Sequence, residues 1–81
     1  RVDPKTALQE WLQGAKRERP VYVVDDTTGP EHAQTFVVSA VVGGEALGRG
    51  VGRTKKEAER AAASEALHAL TRRHEGARGR G

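Results

Sequence analysis

Gly48-Arg49-Gly50-Val51-Gly52-Arg53-Thr54-Lys55-Lys56-Glu57-Ala58-Glu59-Arg60-Ala61-Ala62 runs from glycine-rich extended chain straight into a basic helix start. Thr54-Lys55-Lys56-Glu57 is a capping box: the Thr54 hydroxyl accepts from the Glu57 N–H, and the Glu57 carboxylate reaches back to the Thr54 N–H. Ala58, Ala61, Ala62, Leu67 and Leu70 then recur at helical spacing. The small alanines let this helix lie close to a sheet, and Arg72 and Arg73 suit the negative end of its dipole. Upstream, Gly48, Gly50 and Gly52 permit close backbone approach or a bulge in a strand from about Glu45 to Val51.

Working outward, Gly43-Gly44 is a two-residue link of the kind that makes a primed hairpin turn. Before it, a strand from about Gln34 to Val42 places Phe36, Val38, Ala40 and Val42 on one face. Asp25-Asp26-Thr27-Thr28-Gly29-Pro30 has turn chemistry and is expected as an exposed loop. Val21-Tyr22-Val23-Val24, entered through Pro20, has the β-branched and aromatic composition of a strand. At the start, Asp3 caps a helix with Pro4 at its first position, and Leu8, Trp11, Leu12 and Ala15 form its apolar stripe to about Gly14. Lys16-Arg17-Glu18-Arg19 is a polar connection.

The expected architecture is α+β in the order α-β-β-β-α, a three-stranded antiparallel sheet with two helices packed on one face. One domain, residues 1–75, would be followed by a flexible Arg/Gly tail, residues 76–81.

With 81 residues there is room for one small core. The chain opens at Arg1 directly into a capped helix, and we expect it to be a piece of a longer protein. No apolar run is long enough to span a bilayer and no signal-peptide pattern is present, so no membrane partner and a cytoplasmic location are expected. Cysteine is absent, which excludes disulfides and thiolate zinc sites, and His32, His68 and His74 lack the i, i+4 spacing of a helical ligand pair. Lys plus Arg number 14 against 11 acidic residues, a net charge of +3, so the placement of charge matters more than its total.

That placement is informative. Lys55 and Lys56 occupy the first turn of a helix, where the dipole favours anions, so each is unfavourable by about 0.3 kcal/mol unless something neutralises it. With Arg53 and the free N–H groups of the helix start they make an anion site suited to phosphate. On the first helix, Thr6, Gln9, Glu10 and Gln13 share a polar face whose amides and hydroxyl suit ribose 2′-OH groups and base edges in a shallow groove. By its residues alone Gly29-Pro30-Glu31-His32 is either an ordinary turn between strands or a rigid turn that presents His32 and backbone groups to a groove.

Pro20 and Tyr22, then Gly29-Pro30-Glu31-His32 with Phe36, then Gly48 to Glu59, with Ala61-Ala62 and Ala66-Leu67 downstream, resemble the double-stranded-RNA-binding domain from about Asp3 to Leu70. Asp3-Pro4-Lys5-Thr6-Ala7-Leu8-Gln9-Glu10 is similar to the start of this domain in bacterial ribonuclease III. The resemblance implies contacts from Thr6, Gln9, Glu10 and Gln13 to one minor groove and from Gly29, Pro30, Glu31 and His32 to the next. Lys55 and Lys56, with Arg53 and the cap Thr54, would bridge the intervening major groove. It further implies that the parent protein is a magnesium-dependent endonuclease, homodimeric through its nuclease domain, whereas this piece is monomeric and has neither a cofactor nor catalytic residues.

Three rivals are weaker. Asp25-Asp26 is the only adjacent acidic pair, and neighbours in extended chain point apart, which disfavours a metal nuclease site within this piece. A protein-interaction or dimerisation module of the same fold is expected to lack the lysine pair. A single-strand reader needs exposed aromatic platforms, whereas Trp11, Tyr22 and Phe36 fall at core positions.

Overall fold

A computed structural model of the chain describes residues 2–79, with side chains described to residue 73. The elements are α1 (Pro4–Gly14), β1 (Val21–Thr28), a 3₁₀ turn (Glu31–Ala33), β2 (Thr35–Val42), β3 (Glu45–Gly52) and α2 (Lys55–Gly79). The strands form one antiparallel sheet in the order β1-β2-β3. The α-β-β-β-α order is therefore the expected one.

α1 begins as its residues dictate. Asp3 is extended and its carboxylate accepts from the Lys5 N–H at 3.0 Å, with Pro4 at the first helical position. Leu8 and Leu12 are fully buried, and Trp11 packs against the same core. Ala15 departs from expectation: it is exposed, because the helix ends at Gly14 and the chain turns away at Ala15. The turn is a Schellman closure. Lys16 N–H donates to the Gln13 carbonyl at 3.0 Å and Arg17 N–H to the Leu12 carbonyl at 2.8 Å, with Lys16 at φ 59°.

β1 corrects a second expectation, since Asp25 to Thr28 extend the strand instead of forming a loop. The register shifts between Val24 and Asp26, leaving Asp25 outside the ladder. Its carboxylate accepts from the Ser39 hydroxyl and lies 3.5 Å from Arg49 Nε. These cross-strand partners hold in the sheet an acidic residue whose propensity alone favours a turn. Asp26 turns to its own neighbour, accepting from the Thr27 N–H at 2.8 Å. The expected loop is thus reduced to Gly29 and Pro30 and the short 3₁₀ turn, closed by the Ala33 N–H donating to the Pro30 carbonyl at 2.9 Å. Gly29, at φ 89°, is required here: a Cβ would lie 2.6 Å from the Ala33 carbonyl oxygen.

The close approach expected of the β3 glycines is the main packing device of the domain. A Cβ on Gly48 would sit 2.5 Å from the Ala62 carbonyl oxygen, one on Gly50 2.6 Å from Ala61 Cβ, and one on Gly52 2.5 Å from the Ala58 nitrogen. The α2 backbone therefore rests directly on β3. A four-residue helix step rises about 6 Å and a two-residue strand step about 6.6 Å, so Ala58, Ala62 and Ala66 match Gly52, Gly50 and Gly48 pair by pair.

Val38, Ala40 and Val42 of β2 join Leu8, Leu12, Leu47, Leu70 and the α2 alanines in one core, with Trp11, Tyr22, Phe36 and Leu67 at its margin. Ala61 is only half-buried, whereas Ala63 and Ala66 are fully buried, so the apolar face of α2 is centred differently from the expected one. The α2 backbone stays helical to Gly79, past Gly76 where a tail was expected to begin; Arg80 and Gly81 lie outside the described residues. Once a helix is nucleated each further residue adds a hydrogen bond, and an interior glycine costs only about 1 kcal/mol.

Tyr22 carries a pH signature. Its ring lies under the Lys5 ammonium, 4.8 Å from centroid to Nζ, and its hydroxyl is buried without a hydrogen-bond partner among the described residues. Burial, then the nearby carboxylates of Glu59 and Asp3, push its pKa up to about 12 from the usual 10.0. The unfolded chain releases this proton first as pH rises, so the stabilisation is complete below pH 10.0 and is lost as pH climbs through about 12. Urea midpoints from pH 8 to pH 12 should fall more steeply for the wild type than for Tyr22→Phe, and at pH 7 the variant should be at least as stable. Parallel alkaline limbs would contradict this.

Candidate nucleic-acid interface

α2 starts where β3 delivers it, immediately after Gly52 and the exposed Arg53 and Thr54. The Thr54 hydroxyl accepts from the Glu57 N–H at 3.0 Å, as expected of the cap. The return bond differs: Glu57 Oε1 accepts from the Arg53 N–H at 3.0 Å instead of the Thr54 N–H, because the side chain reaches one residue past the cap. Lys55 and Lys56 hold the first two helical positions, whose N–H groups have no intrahelical acceptor. Both side chains are exposed, and Lys55 Nζ lies 6.0 Å from the Phe36 ring centroid. Among the described residues no ion pair engages Arg53, Lys55 or Lys56.

Two nearby cations are engaged. Lys5 Nζ lies 2.6 Å from Glu59 Oε1, and Arg60 Nε lies 3.0 Å from Asp3 Oδ1. These two pairs tie the first turn of α1 to α2. Arg60, close to the lysine pair in sequence, is thereby committed to a structural contact.

Thr6, Gln9, Glu10 and Gln13 are all exposed on α1, on the side away from Leu8 and Leu12. Gly29, Pro30, Glu31 and His32 are exposed in the β1–β2 connection. Phe36 pairs with Gly52, which brings this connection and the start of α2 to the same end of the sheet. A cleft of about 350 Å³ opens at the C-terminal end of α1, lined by Gln9, Gln13, Lys16, Arg17 and Arg19. The only signal for it was three cations within four residues, which a connecting segment equally allows.

The family model for the double-stranded RNA binding motif matches residues 4–70. The chain belongs to the double-stranded-RNA-binding domain family. Double-stranded RNA is its partner. The matched span of this double-stranded-RNA-binding domain contains every candidate contact residue named above. Ribonuclease 3 of Caulobacter vibrioides (strain NA1000 / CB15N) is 51% identical over 65 residues, covering 80% of this chain and 28% of that protein. Ribonuclease 3 of Delftia acidovorans is 47% identical over 73 residues, covering 89% of this chain and 32% of that protein. The chain thus spans about a third or less of the length of these relatives. Among solved structures, one of Arabidopsis HYL1 superposes with a TM-score of 0.73 at 33% identity, covering 84% of this chain and 96% of that one. Among the described residues no helix is long and apolar enough to cross a membrane, and no group of three or more His, Cys, Asp or Glu is arranged to hold a metal ion.

Proposed function

We propose that the domain grips A-form RNA by shape at three places along about 16 base pairs. Lys55 and Lys56 place their ammonium groups, and the helix start its open N–H groups, on phosphates across the major groove, with Arg53 beside them and Thr54 holding the cap. The Thr6 hydroxyl and the Gln9 and Gln13 amides donate to and accept from 2′-OH groups and base edges in one minor groove, and the Glu10 carboxylate accepts from a 2′-OH. Gly29, Pro30, Glu31 and His32 enter the next minor groove through the rigid turn.

One contrast carries this reading: Lys5, Arg49 and Arg60 are paired with carboxylates, while Arg53, Lys55 and Lys56 are exposed with no such pair among the described residues. Cations left at the positive end of a helix are suited to an external anion. We also infer that the parent protein is a cytoplasmic ribonuclease III whose nuclease domain, outside this chain, holds magnesium and dimerises, with this piece a monomeric substrate grip. The relatives named Ribonuclease 3 support the nuclease part of that inference.

The test is a pair of duplexes of one sequence, RNA and DNA, titrated with the wild type and with Gln9→Ala/Gln13→Ala. Removing two hydrogen bonds to 2′-OH groups corresponds to roughly tenfold in affinity. The wild type should prefer RNA by at least that factor, and the variant should lose most of the preference. Equal wild-type affinity for the two duplexes would overturn the minor-groove assignment.

A further inference from the structure

We propose that the cleft at the C-terminal end of α1 is a further phosphate site, in which Lys16, Arg17 and Arg19 take the RNA backbone bordering the minor groove that α1 faces. The proposal rests on the three-place grip proposed above and extends it. Gln9 and Gln13, assigned there to the minor groove, line the same cleft as the three cations. A duplex seated on α1 therefore brings a phosphate strand to this opening, whose volume of about 350 Å³ accommodates a phosphodiester group.

The charge in the cleft is not spent internally. No ion pair among the described residues engages Lys16, Arg17 or Arg19. Glu18, the one acid in the segment, does not line the cleft; its Oε2 lies toward the β2–β3 turn, 3.9 Å from where a Cβ on Gly43 would be. The site is also distinct from the lysine pair. The first turn of α1 is tied to α2 through Lys5–Glu59 and Asp3–Arg60, close to the α2 start, whereas the cleft lies at the other end of α1.

The backbone supplies an independent observation. Lys16, at φ 59°, occupies the left-handed position of the Schellman closure, where glycine is the usual residue and a side chain is strained. A lysine kept there breaks a local rule, and such exceptions concentrate at functional positions. The competing role is purely structural, since cations also suit a helix C-terminus. The two roles predict opposite outcomes for Lys16→Gly. If Lys16 serves only the helix C-terminus, its removal leaves RNA affinity alone, whatever it does to the Tm. If it serves phosphate, relief of strain preserves or raises the Tm while affinity falls.

The experiment titrates the full 81-residue chain, wild type, Lys16→Gly and Arg17→Gln/Arg19→Gln, against a duplex RNA of about 20 base pairs, chosen to exceed the span of one domain. Binding is followed over a salt series, with the Tm of each protein measured alongside. Each phosphate interaction removed flattens the log–log salt slope by roughly 0.7–0.9 and lowers affinity at 0.1 M salt by about fivefold to tenfold. Both variants should show these losses at an undiminished Tm. Unchanged affinity and slope in both variants, or a loss of affinity only in step with a loss of Tm, would overturn the proposal. Lys55→Ala/Lys56→Ala separates the two levels. A wild type that fails to bind duplex RNA defeats the underlying three-place grip, whereas binding that depends on Lys55 and Lys56 but ignores the cleft variants defeats only this inference.

Discussion

Gly50→Ala is expected to cost about 3 kcal/mol or more, a large fraction of the stability of a domain this size. The added methyl would lie 2.6 Å from Ala61 Cβ and closer still to the Ala58 and Ala62 backbone. None of these atoms is the tip of a flexible side chain, so relief requires α2 to lift from β3. That displacement would also open the core, since Ala58, Ala62, Ala63 and Ala66 are all fully buried against the sheet. Gly14→Ala provides the contrast. Nothing lies within 4 Å of the added atom, and the residue ends a helix, so the same substitution should stabilise by about 0.5 kcal/mol. Urea titration of both variants checks the pair. A Gly50→Ala midpoint equal to that of the wild type would mean that the helix is not seated on the strand as described.

Lys55→Ala/Lys56→Ala should have the largest effect on binding while leaving the fold intact. Two phosphates released, each worth roughly 0.7–0.9 of slope, correspond to about 30-fold in affinity at 0.1 M salt. Stability should hold or rise slightly, because each exposed lysine at a helix start is unfavourable by about 0.3 kcal/mol. The cap itself is untouched, since Thr54 and Glu57 make it. The decisive measurement is Kd against salt on one duplex, with the Tm as control. A superimposable salt series would remove the lysine pair from the interface.

Most of the architecture was readable because it is coded locally. Asp3-Pro4, Thr54 with Glu57, Gly43-Gly44 and the alternation from Phe36 to Val42 each specify their element within a few residues, and each is realised. What escaped depends on partners distant in sequence. Asp25 belongs to a strand because Ser39 and Arg49 hold its carboxylate. The buried face of α2 was misjudged because alanines at 58, 61, 62, 63 and 66 surround much of the helix, and only the β3 glycines select among them. At the candidate site, the lysine pair, the α1 amides and the His32 turn are all exposed. The commitment of Lys5 to Glu59 and Arg60 to Asp3 was not readable, nor was the cleft formed where the chain reverses after Gly14.

The seating of α2 in the glycine stripe has a mechanical consequence. Its contact surface is toothed, with helix and strand engaging once per turn, as a pinion engages a rack. A packed contact of this kind has no intermediate settings: α2 either holds its notch or must jump by a whole one, about 6 Å. The lysines at its tip and the turn beyond β1 are therefore held at a set gauge. A helix with that gauge cannot stretch to suit its ligand, so on the proposed three-place grip duplexes would be sorted by whether their own groove spacing fits.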